Sequence, residues 1–129
     1  MESGERRVPI KQNMGSILRD KSFAFAVSII RLGDNLDASR QYTLKDQIVR
    51  SGTSIGANVR EAKNAQGPKD MISKLSIALK EADETEYWLD LLNESSKISQ
   101  DEYSTMKSNL NEIISMLVSS IKTLKERNN

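Results

Sequence analysis

Residues Arg50 to Ala62 read RSGTSIGANVREA, a run of Ser, Gly, Thr and Asn that ordinarily marks a loop. Ile48, Ile55, Val59 and Ala62 nevertheless recur at spacings that put them on one face of a helix. Glycine costs roughly 1 kcal/mol relative to alanine inside a helix, so Gly52 and Gly56 need a compensating gain in packing. Ser51, Gly52, Ser54, Gly56 and Ala57 carry so little bulk that another backbone can approach closely. The stretch therefore calls for a helix held tightly against a neighbour.

The rest of the chain is also helical in period, without the alternation of a half-buried strand. Helix one is expected from about Ser16 to Leu36, with Leu18, Phe25, Ile29, Leu32 and Leu36 on one side. Phe23, Val27 and Ile30 form a second stripe. A surface helix needs only one apolar face, so the second stripe marks either a contact with another copy of the chain or an unusually wide buried face. Thr43, with Asp46 three residues on, fits the N-cap of helix two, which should continue to about Ala65. Gly67 then ends one helix and Pro68 suits the first turn of the next. Helix three is expected to reach about Asn93, carrying Met71, Leu75, Ala78, Leu79, Ala82, Leu89 and Leu92. Ser99 and Glu102 form a capping box before helix four, whose Tyr103, Met106, Leu110, Ile113, Leu117, Ile121 and Leu124 alternate three- and four-residue steps.

Short connections make successive helices antiparallel. The expected architecture is all-α, an up-down-up-down four-helix bundle over residues 15–127. A flexible tail is expected at residues 1–14, and the end after Lys125 is also expected to be loose. A chain of 129 residues argues for one domain. Only 5% of residues are aromatic, so the core must be filled by Ile, Leu, Val, Met and Ala. No apolar run approaches the ~20 residues of a membrane span, and the first residues lack a secretory h-region. A cytoplasmic protein without membrane contact is therefore expected.

Cysteine and histidine are absent. Thiol nucleophiles, histidine general bases and the usual zinc sites are thereby excluded, as are bundle di-iron centres built on Glu-x-x-His. No cofactor is implied. Glu81 and Glu84 make an E-x-x-E step like half of the magnesium site in all-α nucleotide pyrophosphohydrolases. The second helix of such a site, offering E-x-x-D, is missing, so a carboxylate-metal nucleotide hydrolase is the weaker alternative to a solvated acidic face.

At 100° per residue, Leu44, Ile48, Ser51, Ile55, Val59 and Ala62 share the core face of helix two. Gln47, Arg50, Ser54, Asn58 and Glu61 line the stripe beside it, either solvated or half buried in a specific network. Glu86 is spaced with Leu75, Ala82 and Leu89, so it is expected to point at the apolar stripe of helix three. A lone buried carboxylate is costly. Arg50 is expected to meet Glu86 in a partly buried pair, with the other polar residues completing the network.

The stretch DQIVRSGTSIGANVREA resembles the signature of the four helix bundle proteins related to the protein encoded in the intervening sequence of 23S ribosomal RNA. Asp46, Gln47, Arg50, Ser54, Ile55, Asn58 and Glu61 fall on matching positions. ISKLSIALKEADETEYWLDLL resembles a second family segment, with Ile72, Leu75, Ile77, Ala78, Leu79, Glu84 and Glu86 matching. Val49 stands where the family has Arg, Gly56 where Pro is frequent, and Ala62 where Gly follows the acid. The resemblance implies a bundle that assembles into a pentameric ring with a central channel, and it implies no catalytic activity. A relative, the accessory variability determinant of diversity-generating retroelements, is a basic pentamer that binds nucleic acid and a reverse transcriptase.

The net charge of +1 hides segregation. Residues 1–80 hold 14 Lys and Arg against 8 Asp and Glu, whereas residues 81–112 hold 2 against 9. Lys45, Arg60, Lys63, Lys69 and Lys74 are the candidate nucleic-acid contacts, since repeated basic patches attract phosphates without reading sequence. Equally, the acidic region can balance the basic one within or between subunits, and a dedicated nucleic-acid binder usually has a larger net positive charge. The expectation is a non-enzymatic oligomeric scaffold whose partners are its own copies, and DNA or RNA. A protein-only adaptor is the alternative.

Overall fold

The computed structural model describes residues 10–128. Four helices follow one another: α1 (Ile10–Ala38), α2 (Tyr42–Lys63), α3 (Pro68–Glu94) and α4 (Gln100–Arg127). Each packs on the next and α4 returns to α1, while the diagonal pairs do not approach. This is the expected up-down-up-down bundle. Of the tail expected at residues 1–14, residues 1–9 lie outside the described residues, and α1 begins at Ile10.

The core is aliphatic, as the composition requires. Ile29, Ile48, Ile55, Leu89, Leu92, Leu110 and Leu117 are fully buried at its centre, with Phe25 the one ring among them. Burying a side chain of this size contributes about 1.5–3 kcal/mol, so these rows, repeating at three and four residues, are what hold the helices in register.

The helix ends follow local chemistry. Pro68 occupies the first turn of α3, and the Ser99 hydroxyl accepts the Glu102 N–H at 3.1 Å, both as the sequence suggested. The start of α2 does not: its N-cap is Gln41, without a side-chain cap, and Thr43 lies inside the first turn. The cause is the way α1 ends. Arg40 takes a left-handed conformation (φ 64°), and the N–H groups of Gln41 and Arg40 return to the carbonyls of Leu36 and Asp37 at 2.7 and 3.0 Å. That Schellman closure turns the chain straight into α2. Ser96 (φ 58°) ends α3 in the same way, with Lys97 N–H on Leu92 carbonyl at 2.8 Å.

Candidate functional surfaces

The small residues of α2 face α1 of the same chain. A Cβ on Gly52 would lie 2.8 and 2.9 Å from Cγ1 and Cγ2 of buried Ile29, and one on Gly56 would lie 3.2 Å from the Ser22 carbonyl oxygen. Gly33 of α1 returns the arrangement against Val49. The close approach that the sequence demands is thus met inside the monomer.

On its other flank α2 meets α3 through polar atoms. The hydroxyls of Ser51 and Thr85, both fully buried, are 2.9 Å apart. The Glu81 carbonyl lies 2.8 Å from the Thr85 hydroxyl and the Ile48 carbonyl 3.4 Å from that of Ser51, so both protons find acceptors. Further out, the Arg50 guanidinium holds Glu81 at 3.3 Å and also binds Glu84. It donates to Gln47 Oε1 at 3.3 Å, and the Trp88 indole donates to Glu84 at 3.1 Å.

Arg50 therefore does not meet Glu86. Glu86 turns to α4, where Lys107 Nζ lies 3.2 Å away. One residue advances 100° around a helix. Thr85 therefore lies on the α2 side of the core line of α3, whereas Glu86 falls on the α4 side. Ser54 and Asn58 also leave the expected network, donating to the carbonyls of Arg50 and Ser54 on their own helix at 2.7 and 2.9 Å. Glu61 pairs with Lys74 at 3.2 Å. The two glutamates of the E-x-x-E step are engaged by Arg50, and no group of three or more metal-ligating side chains occurs among the described residues.

Lys107 anchors a second cluster, at the α3–α4 seam. Its ammonium reaches Asp90 at 2.6 Å as well as Glu86, and the Tyr103 hydroxyl donates to Asp90 at 2.7 Å. Burial works to raise the Asp90 carboxyl, but the hydrogen bonds from Lys107 and Tyr103 outweigh it and hold the group below its ordinary value. Burial likewise opposes the charge on Lys107, and the bonds to Asp90 and Glu86 push its pKa up. The shifts of Asp90 and Lys107 both favour the charged forms, which suits a clamp better than an acid–base catalyst.

The candidate nucleic-acid residues are not one patch. Lys45 pairs with Asp37 at 3.3 Å near the start of α2, about 22 Å along the helix from Arg60 at 1.5 Å per residue. Arg60, Lys63 and Lys69 gather at the opposite end, around the α2–α3 turn. The C-terminal end of α4 comes to the same place, because Asn128 lines a shallow depression with Gln66–Asp70. It brings Lys122, Lys125 and Arg127, which the sequence reading missed. They are far away in the chain, and only the antiparallel course of α4 makes them neighbours.

Contacts across the seams mark the bundle's midline: Ile29 with Gly52 and Ser51 with Thr85. At the end that holds the α2–α3 turn and the C-terminus of α4, residues 60–70 and 122–128 carry six Lys and Arg against three Asp and Glu. At the opposite end, residues 34–46 and 90–102 carry three against seven. The two ends of the folded molecule therefore carry net charge of opposite sign. Among the described residues, no carboxylate lies within ion-pair distance of Lys63, Lys69, Lys122, Lys125 or Arg127. Part of this is local: Arg60, Lys63, Lys125 and Arg127 lie in last turns, where cations stabilise a helix C-terminus.

On the outer face of α1, Phe23 is 58% and Ile30 50% exposed, with Val27 half-buried between them. For Phe23 and Ile30, a wide buried face within the bundle is therefore ruled out. The Arg60 guanidinium lies 5.8 Å from the centroid of the Phe23 ring.

These features define an antiparallel four-helix bundle with a polar seam, a basic pole and uncovered apolar surface. Sequence comparison narrows the class. The profile of the 23S rRNA-intervening sequence protein matches residues 16–119, and the chain belongs to that family. A crystal structure of a protein of unknown function, from the S23 ribosomal protein family of Bacteroides thetaiotaomicron, is similar: 46% sequence identity and a TM-score of 0.82, covering 84% of this chain and 98% of that one. No curated protein matches significantly.

Proposed function

We propose that the protein is a non-catalytic scaffold that associates with copies of itself and offers its basic pole to nucleic-acid phosphates. The observation that carries this is the convergence of Lys63, Lys69, Lys122, Lys125 and Arg127 from two separate stretches of chain onto one end of the bundle. The exposed Phe23 and Ile30 support self-association. In a ring such as the family resemblance implies, the basic poles repeat around one axis, and weak phosphate contacts then reinforce one another. The engagement of Glu81 and Glu84 by Arg50 supports the absence of catalysis.

Binding of this kind is governed by counterion release. Four phosphate contacts give a logarithmic salt slope of about −3.6 on duplex DNA, or about a hundredfold loss between 50 and 200 mM salt. Anisotropy of a labelled duplex and a labelled single strand, titrated at several salt concentrations, measures that slope. Reversing Lys63, Lys69 and Lys125 together to Glu should abolish binding while the helical circular dichroism stays unchanged. Equal affinity in the triple variant, or no binding by the wild type at 50 mM salt, overturns the phosphate contact and leaves the protein-only adaptor.

A further inference from the structure

A second apolar surface lies on the outer side of α3, away from the α1 stripe. Tyr87 is 59% exposed, and Leu91 is exposed one turn further on. Spacings of three and four residues put Tyr87, Leu91 and Glu84 together on this side. The Tyr87 and Trp88 rings meet edge to face, with centroids 5.0 Å apart and planes at 70°. The half-buried indole is bonded to Glu84, itself held by Arg50, so the platform is braced before anything binds. Around it stand Asp83 and Glu94, both exposed. Among the described residues neither has a cation within ion-pair distance. This is an aromatic centre with an acidic rim.

The α1–α2 seam presents the converse. Phe23 and Ile30 stand out from it, the residues between them and along the facing side of α2 (Val27, Thr53, Ala57) are uncharged, and Arg60 lies over the Phe23 ring. Asp34 lies one turn beyond Ile30, at the end of the stripe away from Arg60. Aromatic and arginine side chains that lose water together are what anchor protein interfaces. Arg60, already stacked on Phe23, has the reach and charge to meet a carboxylate across a contact.

We infer that the acidic aromatic face of α3 is the docking site for the α1–α2 face of a second copy of this chain, Arg60 meeting one carboxylate of the Asp83 and Glu94 rim while Phe23 and Ile30 cover Tyr87 and Leu91. This rests on the self-association proposed above and names the two surfaces that make it. Pairing the α3 face with itself would set Asp83 and Glu94 of both copies against each other. The two faces lie on different helices, so each copy can give one and receive one. Such a contact is heterologous, and repeats from copy to copy until it closes.

Charge reversal tests the pairing, with light scattering for mass and circular dichroism to verify folding. The wild type should have a mass several times 14.5 kDa. Arg60→Glu on its own, and Asp83→Arg with Glu94→Arg on its own, should each fall towards 14.5 kDa at micromolar concentration. Mixing the two variants should restore association, because each reversed face now matches the other and the unreversed faces still match. A wild-type oligomer that neither variant disturbs, or dissociated variants that do not recombine, would overturn this pair of surfaces and leave self-association standing. A monomeric wild type would sink both.

Discussion

The two flanks of α2 solve one packing problem in opposite ways. Toward α1 the helix discards side chains, and Gly52 and Gly56 let Ile29 and the Ser22 backbone come within van der Waals distance. Toward α3 it keeps polar side chains and satisfies them in layers, buried hydroxyls inside and an arginine with two glutamates outside. The first seam tolerates no added volume. The second tolerates no lost partner. Small and polar residues in one helix thus have separate causes, and neither requires a ligand.

Substitutions separate these causes, and the largest effect belongs to the dry seam. Gly52→Ala gains helix propensity, yet its methyl meets two branch carbons of a β-branched residue that has no room to retreat. Overpacking of this kind typically costs about 1–3 kcal/mol, and a drop in the denaturant midpoint with unchanged m-value should show it. Ile29→Ala removes both of those carbons, so the double variant should lose less than the sum of the two single losses. A more stable Gly52→Ala protein would show that the seam has slack, and the contrast would fail.

Thr85→Val comes next. It keeps the shape and removes one hydroxyl, leaving Ser51 only its long bond to the Ile48 carbonyl, at a cost of about 1 kcal/mol. The double variant with Ser51→Ala should lose less than the sum of the single losses. Additive losses would mean that the hydroxyls do not depend on each other. The smallest effect is expected at Arg50, whose side chain is 49% exposed. Water screens such pairs, so Arg50→Ala should cost under about 1 kcal/mol. The loss should not couple to Glu86→Ala, because Glu86 belongs to Lys107.

That last point shows where sequence stops being legible. The core rows, the Ser99 cap and the Pro68 start were readable, because each depends on residues within one or two turns. Glu86 was not. Periodicity places it at the edge of the apolar stripe, but each helix has two neighbours, and which one faces a given edge depends on the handedness of the bundle. Lys45 failed for a related reason. Face assignment ignores height, and 15 residues of helix carried it to the other pole. Thr43 looked like a cap until the Schellman turn ending α1 brought Gln41 into that place. The gain from α4 was hidden in turn, since Lys122, Lys125 and Arg127 join Lys69 only through the folded topology.

The composition of α2 also bears on how the molecule assembles in time. Between Ser51 and Asn58 stand two glycines and a threonine, two serines and an asparagine, all weak or poor helix formers. An isolated segment of this kind does not nucleate a helix in water, where even alanine-rich peptides of this length are marginal. By contrast, α4 begins with a bonded serine and has Asp101 and Glu102 in its first turn, where α2 has neither a side-chain cap nor an acid. Its helix is favoured before any partner arrives. Helix α2 has to be templated, becoming ordered as Ile29 and Thr85 close around it, so that its coil-to-helix step is the same event as the docking of its neighbours.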